Sequence, residues 1–218
     1  MTDLRAVLWD LDGTLADSSA FHWRSWQVTM GPIGVEVSEA RFLETFGRRN
    51  EFIVPMWLGA RSTPRLAEEI AEAKEAMYRA FVAIEGLTPL PGASEWVHRL
   101  RDLGWKQAIG SSAPRRNVDV MVEAIGLKAF FDTTVAAEDV VHGKPAPDVF
   151  LKAAALLGVP PAQCVVVEDA AAGIDAARAA GIKVIGVGEN GTDAADLRVR
   201  SLDLLPPDAF EQLLRSPR

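Results

Sequence analysis

Arg5-Ala6-Val7-Leu8-Trp9-Asp10-Leu11-Asp12-Gly13-Thr14 decides how this chain is read. A short run that is apolar at consecutive positions is a strand covered on both faces, as in a parallel sheet. Here it breaks at once into two acids and a glycine. Similar runs recur at Lys106-Gln107-Ala108-Ile109-Gly110, Thr133-Thr134-Val135-Ala136, Cys164-Val165-Val166-Val167 and Lys183-Val184-Ile185-Gly186-Val187. Helical patterns lie between them. Trp96, Val97, Leu100 and Leu103 share a face over 93–103, and 117–125 and 148–157 behave likewise. A further helix over 171–180 stops at Gly181, a common C-terminal signal. The alternation predicts an α/β fold with a doubly wound, Rossmann-like parallel sheet as its core.

One long interruption separates the first strand from Lys106. Residues 17–87 contain no convincing strand. Their clearest helix starts at Ser62-Thr63-Pro64, with Thr63 as cap and Pro64 at the first helical position. Leu66, Ile70, Ala73, Met77, Phe81 and Ile84 repeat at helical spacing and predict its buried face. The expected organisation is a core of residues 1–16 and 88–218 with an inserted all-helical cap domain over 17–87.

Composition narrows the function. The chain has 218 residues, 49% of them hydrophobic and 24% charged, enough for a substantial core. Acids outnumber bases 30 to 23, a net charge of −7 that argues against nucleic acid as partner. No apolar stretch has membrane-spanning length, and the first residues do not read as a signal peptide. The single cysteine, Cys164, allows no internal disulfide. A cytoplasmic, monomeric protein acting on a small metabolite is expected.

Open α/β sheets bind ligands beyond the carboxyl ends of their strands. The polar residues there are Asp10 and Asp12, Ser111 and Ser112, Lys144, and Glu168 with Asp169. Acids gathered at one sheet edge repel one another and call for a cation. All-oxygen donors without a histidine or cysteine cluster favour Mg²⁺, which characteristically joins carboxylates to a phosphate. A carboxylate is also a competent nucleophile for phosphoryl transfer. Three plainer readings of these residues exist. A calcium loop starting at Asp10 would need a closing Glu where Phe21 stands. Gly186-Val187-Gly188-Glu189-Asn190-Gly191 fits a dinucleotide pattern, yet too little chain follows for the required unit, so these glycines are expected to shape a loop. Ser111 and Asp169 each precede a helix and are also read as possible caps.

Asp10-x-Asp12-Gly13-Thr14, Ser111, Lys144 and Glu168-Asp169, in this order, resemble the four motifs of the haloacid dehalogenase superfamily. A helical insert directly after the first motif is similar to that family's small-cap arrangement. Residues 17–26 and Lys144-Pro145-Ala146-Pro147-Asp148 resemble its β-phosphoglucomutase-like branch, which also contains many sugar-phosphate phosphatases. The resemblance implies that Asp10 is the nucleophile that becomes an aspartyl phosphate, and that Asp12 serves as acid and then base. It implies Mg²⁺ held by the Asp10 side chain, the Asp12 carbonyl and Asp169, with Glu168 anchoring metal-bound water. Ser111, Ser112 and Lys144 would hold the phosphoryl oxygens. His22 and Lys74 fall at cap positions the mutase uses, and Trp26 and Arg49 are further cap candidates for substrate contact. The mutase grips a second phosphate with a polar stretch after the second motif; here Ala113 and Pro114 offer no side-chain donor, although Arg115, Arg116 or Arg49 is available. A phosphatase is therefore the preferred reading, with a β-phosphoglucomutase-like phosphotransferase as the alternative.

Overall fold

A computed structural model describes residues 4–45, 48–189 and 191–216. They fall into two compact units, Met1–Asp17 with Leu87–Arg218, and Ser18–Gly86. Along the chain, strand β1 (Ala6–Trp9) is followed by helices α1 (Ser19–Met30), α2 (Glu39–Leu43), α3 (Asn50–Leu58) and α4 (Pro64–Glu85). Then come α5 (Ala93–Asp102), β2 (Lys106–Gly110), α6 (Arg115–Ala124), β3 (Thr133–Val135) and α7 (Asp148–Leu157). The chain closes with β4 (Cys164–Glu168), α8 (Ala171–Ala179), β5 (Lys183–Val187), β6 (Leu197–Val199) and α9 (Ala209–Arg215).

The six strands form one parallel sheet in the order β3-β2-β1-β4-β5-β6. This is the Rossmann order, so the strand direction of progress reverses at β1. Side chains alternate across the sheet as strand geometry requires. Ala6, Leu8, Ala108, Cys164, Val166 and Val184 share a buried cluster with Phe150 of α7 and Ile174 of α8. Trp9 instead meets Phe210 of α9, with ring centroids 6.2 Å apart, and Phe210 also meets Trp96 of α5 at 5.1 Å. Gln107 is fully buried, but its polar atoms are occupied: Trp9 Nε1 donates to Oε1 at 2.9 Å, and Nε2 donates to the Val97 carbonyl at 2.8 Å.

The unit Ser18–Gly86 has its own core, which includes Trp26, Met30, Phe42, Ile53, Val54, Trp57 and Ile70. Helix α4 starts where the sequence places it: Thr63 Oγ1 accepts the Leu66 N–H at 3.2 Å, with Pro64 next in the helix. Its buried face differs from the expected one. Ile84 is 80% exposed, and the buried stripe is Ile70, Lys74, Tyr78 and Val82. A count of apolar residues passes over Lys74, yet its ammonium lies within 2.8 Å of Glu75 Oε1 and over the rings of Trp26 and Tyr78. A paired charge of this kind is tolerated inside a core. Strand β6 is a second correction. Leu-Arg-Val is too short and too mixed to register as a strand, and it sits at the sheet edge against β5.

Replacing Gln107 by Leu strands the Trp9 indole N–H in the core. This should cost about 1–3 kcal/mol, the usual penalty for a buried donor left unpaired. Urea unfolding of the variant against the parent measures it.

Candidate active site

The sheet register builds the site. Trp9 stands level with Ile109 on one side and Val167 on the other, and the Asp10 N–H donates to the Val167 carbonyl at 2.9 Å. The next residue of each chain segment is therefore Asp10, Gly110 and Glu168, side by side at the carboxyl ends of β1, β2 and β4. This is the point where the strand order reverses. The structure brings Asp10, Glu168 and Asp169 together, with one carboxylate oxygen of each within 4.8 Å of the others. Glu168 is 1% exposed and Asp10 7%.

Lys144 enters this cluster from the loop before α7. Its Nζ donates to Asp10 Oδ1 at 2.5 Å and to Glu168 Oε1 at 2.7 Å, and it passes 4.9 Å from the centre of the Phe150 ring. Burial alone would lower the lysine's pKa, but Asp10 and Glu168 outweigh it and hold the ammonium well above its usual range. Asp10 moves the other way to a carboxylate in water. Burial pushes it well up, Lys144 opposes, and the charges of Glu168 and Asp169 add to the rise. Asp169 is pushed up to about 7, first by burial and then by Glu168, with a further contribution from Asp12 and opposition from the Thr14 hydroxyl. That hydroxyl donates to Asp169 Oδ1 at 3.2 Å.

The loop that follows β1 turns tightly enough for this packing. The Gly13 N–H donates to the Ala16 carbonyl at 2.8 Å, and Gly13 has φ +92°. A Cβ there would stand 2.6 Å from the Asp169 Cγ, so only glycine allows the two segments to meet.

Other expected residues are placed as follows. Ser111 follows β2, is 3% exposed, and its Oγ accepts the Ala113 N–H at 3.1 Å; Ser112 is exposed. Ser111 does not cap the next helix, because α6 begins at Arg115 after Pro114. Asp169 is not a cap either: α8 starts after Ala170 without a side-chain cap bond, and Glu168 Oε2 takes the Ala170 N–H at 2.7 Å. Asp12 is half-buried and lies beside the carboxylate cluster in sequence but is not one of its three members. Cys164 is buried in β4, and burial pushes its thiol up to about 12, which leaves it unreactive.

Within the helical unit, His22 and Lys74 meet: Lys74 Nζ stands 2.6 Å from His22 Nδ1, and the His22 ring stacks on Tyr78 at 4.0 Å. Trp26, expected to face substrate, is 2% exposed and packs its ring against Trp57 in that unit's core, because a large apolar ring gains most from full burial. Arg49 stands before α3, largely exposed, 3.7 Å from Glu51. The Arg115 guanidinium donates to the Thr134 carbonyl at 3.0 Å and pairs with Asp139.

Three carboxylates against one ammonium leave the cluster two negative charges in excess when all are ionised. The donors are all oxygen, which suits a hard divalent cation. The residues present therefore fit a metal ion.

Comparisons with known proteins point to one family. The haloacid dehalogenase-like hydrolase family matches residues 4–181. The fructose-1-phosphate phosphatase YqaB of Escherichia coli (strain K12) is 33% identical, over 83% of this chain and 95% of its own length. The β-phosphoglucomutase of Bacillus subtilis (strain 168) is 32% identical, over 90% of this chain and 89% of its own. Among solved structures, a family IA, variant 3 hydrolase from Entamoeba histolytica HM-1:IMSS has a TM-score of 0.87 at 27% identity, covering 98% of this chain and 100% of that one.

The raised pKa of Asp169 makes metal binding depend on pH with a definite sign. In the folded, metal-free protein Asp169 keeps its proton up to about pH 7, whereas the unfolded chain loses it near pH 4. The group thus stabilises the metal-free fold below pH 4 most, and that contribution falls as pH rises towards 7. A divalent ion must displace the proton. Through Asp169 alone its affinity should rise by up to about tenfold per pH unit below 7, and the raised Asp10 carboxyl adds to that rise. Calorimetric titration with Mg²⁺ in buffers of different ionisation enthalpy should detect more proton release at pH 6 than at pH 8.5.

Proposed function

The chain belongs to the haloacid dehalogenase-like hydrolases, and from that premise we propose that it hydrolyses a small phosphate monoester of the sugar-phosphate class through an aspartyl phosphate on Asp10. The observation that carries this reading is the buried Asp10 carboxylate at the switch point of the sheet, clamped by Lys144 and flanked by Glu168 and Asp169. Likeness to a sugar-phosphate phosphatase over most of both chains supports the substrate class.

The chemistry follows from the residues. One Asp10 oxygen attacks phosphorus, and the bond from phosphorus to the ester oxygen breaks. Asp12 gives its proton to the departing oxygen, which leaves as an alcohol. Asp12 then takes a proton from water as the water oxygen attacks the aspartyl phosphate. The bond from phosphorus to Asp10 breaks, releasing inorganic phosphate and restoring both carboxyl groups. Lys144 offers its ammonium, and Ser111 its hydroxyl, to phosphoryl oxygens that gain charge. Mg²⁺, held by Asp10, Asp169 and the Asp12 carbonyl, would neutralise the carboxylates and the phosphoryl group when bound.

Hydrolysis rather than transfer to a second phosphate site is supported by the chain after β2. Ala113 and Pro114 have no side-chain donors, and the Arg115 guanidinium is engaged by Thr134 and Asp139. The phosphotransferase alternative draws on the likeness to β-phosphoglucomutase and on the His22–Lys74 pair.

Asp10→Asn should lower phosphate release by about a thousandfold or more, the scale of removing a nucleophile, while leaving the melting temperature within a few degrees. A Mg²⁺ assay on a panel of hexose, pentose and hexitol phosphates reads both claims. Wild-type activity in the variant would refute the nucleophile. Interconversion of β-glucose 1-phosphate and glucose 6-phosphate without phosphate release would turn the assignment to the phosphotransferase.

A further inference from the structure

Helix α8 contains a glycine in its third position, Gly173, where alanine is the better helix former and is used at five of the other eight positions from Ala171 to Ala179, Ile174, Asp175 and Arg178 aside. Gly173 lies in ordinary helix without a left-handed backbone, so no turn requires it. The space around it does. A Cβ at 173 would fall inside the Glu168 carboxylate and stand 2.6 Å from the Glu168 Cγ.

The Glu168 carboxylate has little freedom to move aside. Oε2 accepts the Ala170 N–H at 2.7 Å, at the start of α8, and Oε1 accepts Lys144 Nζ at 2.7 Å. The side chain is 2% exposed. The clash is nevertheless with a side chain and not with backbone, so a methyl group at 173 would displace Glu168 and leave the helix in place. Displacing Glu168 removes one of the two acceptors that hold Lys144, whose other acceptor is Asp10 at 2.5 Å.

We propose that Gly173 is a positioning residue for Lys144: its missing side chain is the seat of the Glu168 carboxylate, and Glu168 in turn fixes the ammonium against Asp10. The catalytic consequence rests on the reading of Asp10 and Lys144 given above, whereas the seat itself does not.

Four proteins test it: the parent, Gly173→Ala, Glu168→Ala and the double variant, each followed by urea unfolding and by steady-state phosphate release. With Glu168 present, Gly173→Ala should lower stability and lower kcat by about tenfold to a hundredfold, with KM changed less than about threefold, the scale found when a supporting partner is lost. With Glu168 replaced by Ala, the same change should raise stability, because alanine then brings only its helix preference. A stability gain in both backgrounds would overturn the seat. A reversal of sign with parent-like kcat in Gly173→Ala would overturn the positioning role. Because the unfolding arm needs no substrate, failure of the phosphatase reading would show separately, as no phosphate release by the parent, and failure of the Asp10 assignment as full activity in Asp10→Asn.

Discussion

Three carboxylates and one ammonium share the carboxyl edge of β1 and β4, and most of the surrounding structure serves to hold them there. Two like charges 4 Å apart repel by about 4 kcal/mol at an effective dielectric of 20, so such a cluster does not form by accident of packing. The parallel sheet makes it unavoidable. Adjacent strands in register end together, and whatever follows their last residues must meet. Lys144 lowers the cost, and its own charge is held in place by the acids it pairs with.

The sheet was legible because its strands are unbroken apolar runs, as strands covered on both faces must be. Val7, Leu8 and Trp9 leave no polar face, and Val165, Val166 and Val167 do the same. β6 was not legible, since three mixed residues at an edge carry no period. The buried face of α4 was misread for a related reason. Hydrophobic spacing finds Ile70 but cannot see that Lys74 is buried beside Glu75 and His22, contacts that depend on residues up to 52 positions away.

The site divides along the same line. Asp10, Lys144, Glu168 and Asp169 could be read from sequence because each follows a recognisable strand or precedes a recognisable helix. What Glu168 does there was not readable. Its carboxylate spans the Ala170 N–H and Lys144. Gly173 left no trace at all in the sequence argument. A glycine in an alanine-rich helix looks like a weak choice until the neighbouring carboxylate is known, and a missing methyl group has no pattern of its own. Trp26, a candidate for substrate contact from the sequence, packs into the core of its unit.

The acidic balance of the chain, net −7, fits an anionic substrate once the Lys144 geometry is considered. An ammonium carries three N–H groups. Asp10 and Glu168 take two of them, and they fix the direction of the third. A lysine free in solution would spend rotamer freedom to meet a phosphoryl oxygen, whereas this one has already lost it in folding. An arginine would not replace it: a planar fork suited to two parallel acceptors does not divide itself between carboxylates on separate strands and a third ligand. In the proposed reaction the acids beside Asp10 would therefore act on substrate through Lys144 rather than against it. Their charge holds the ammonium's pKa up inside a buried site, where desolvation alone would lower it.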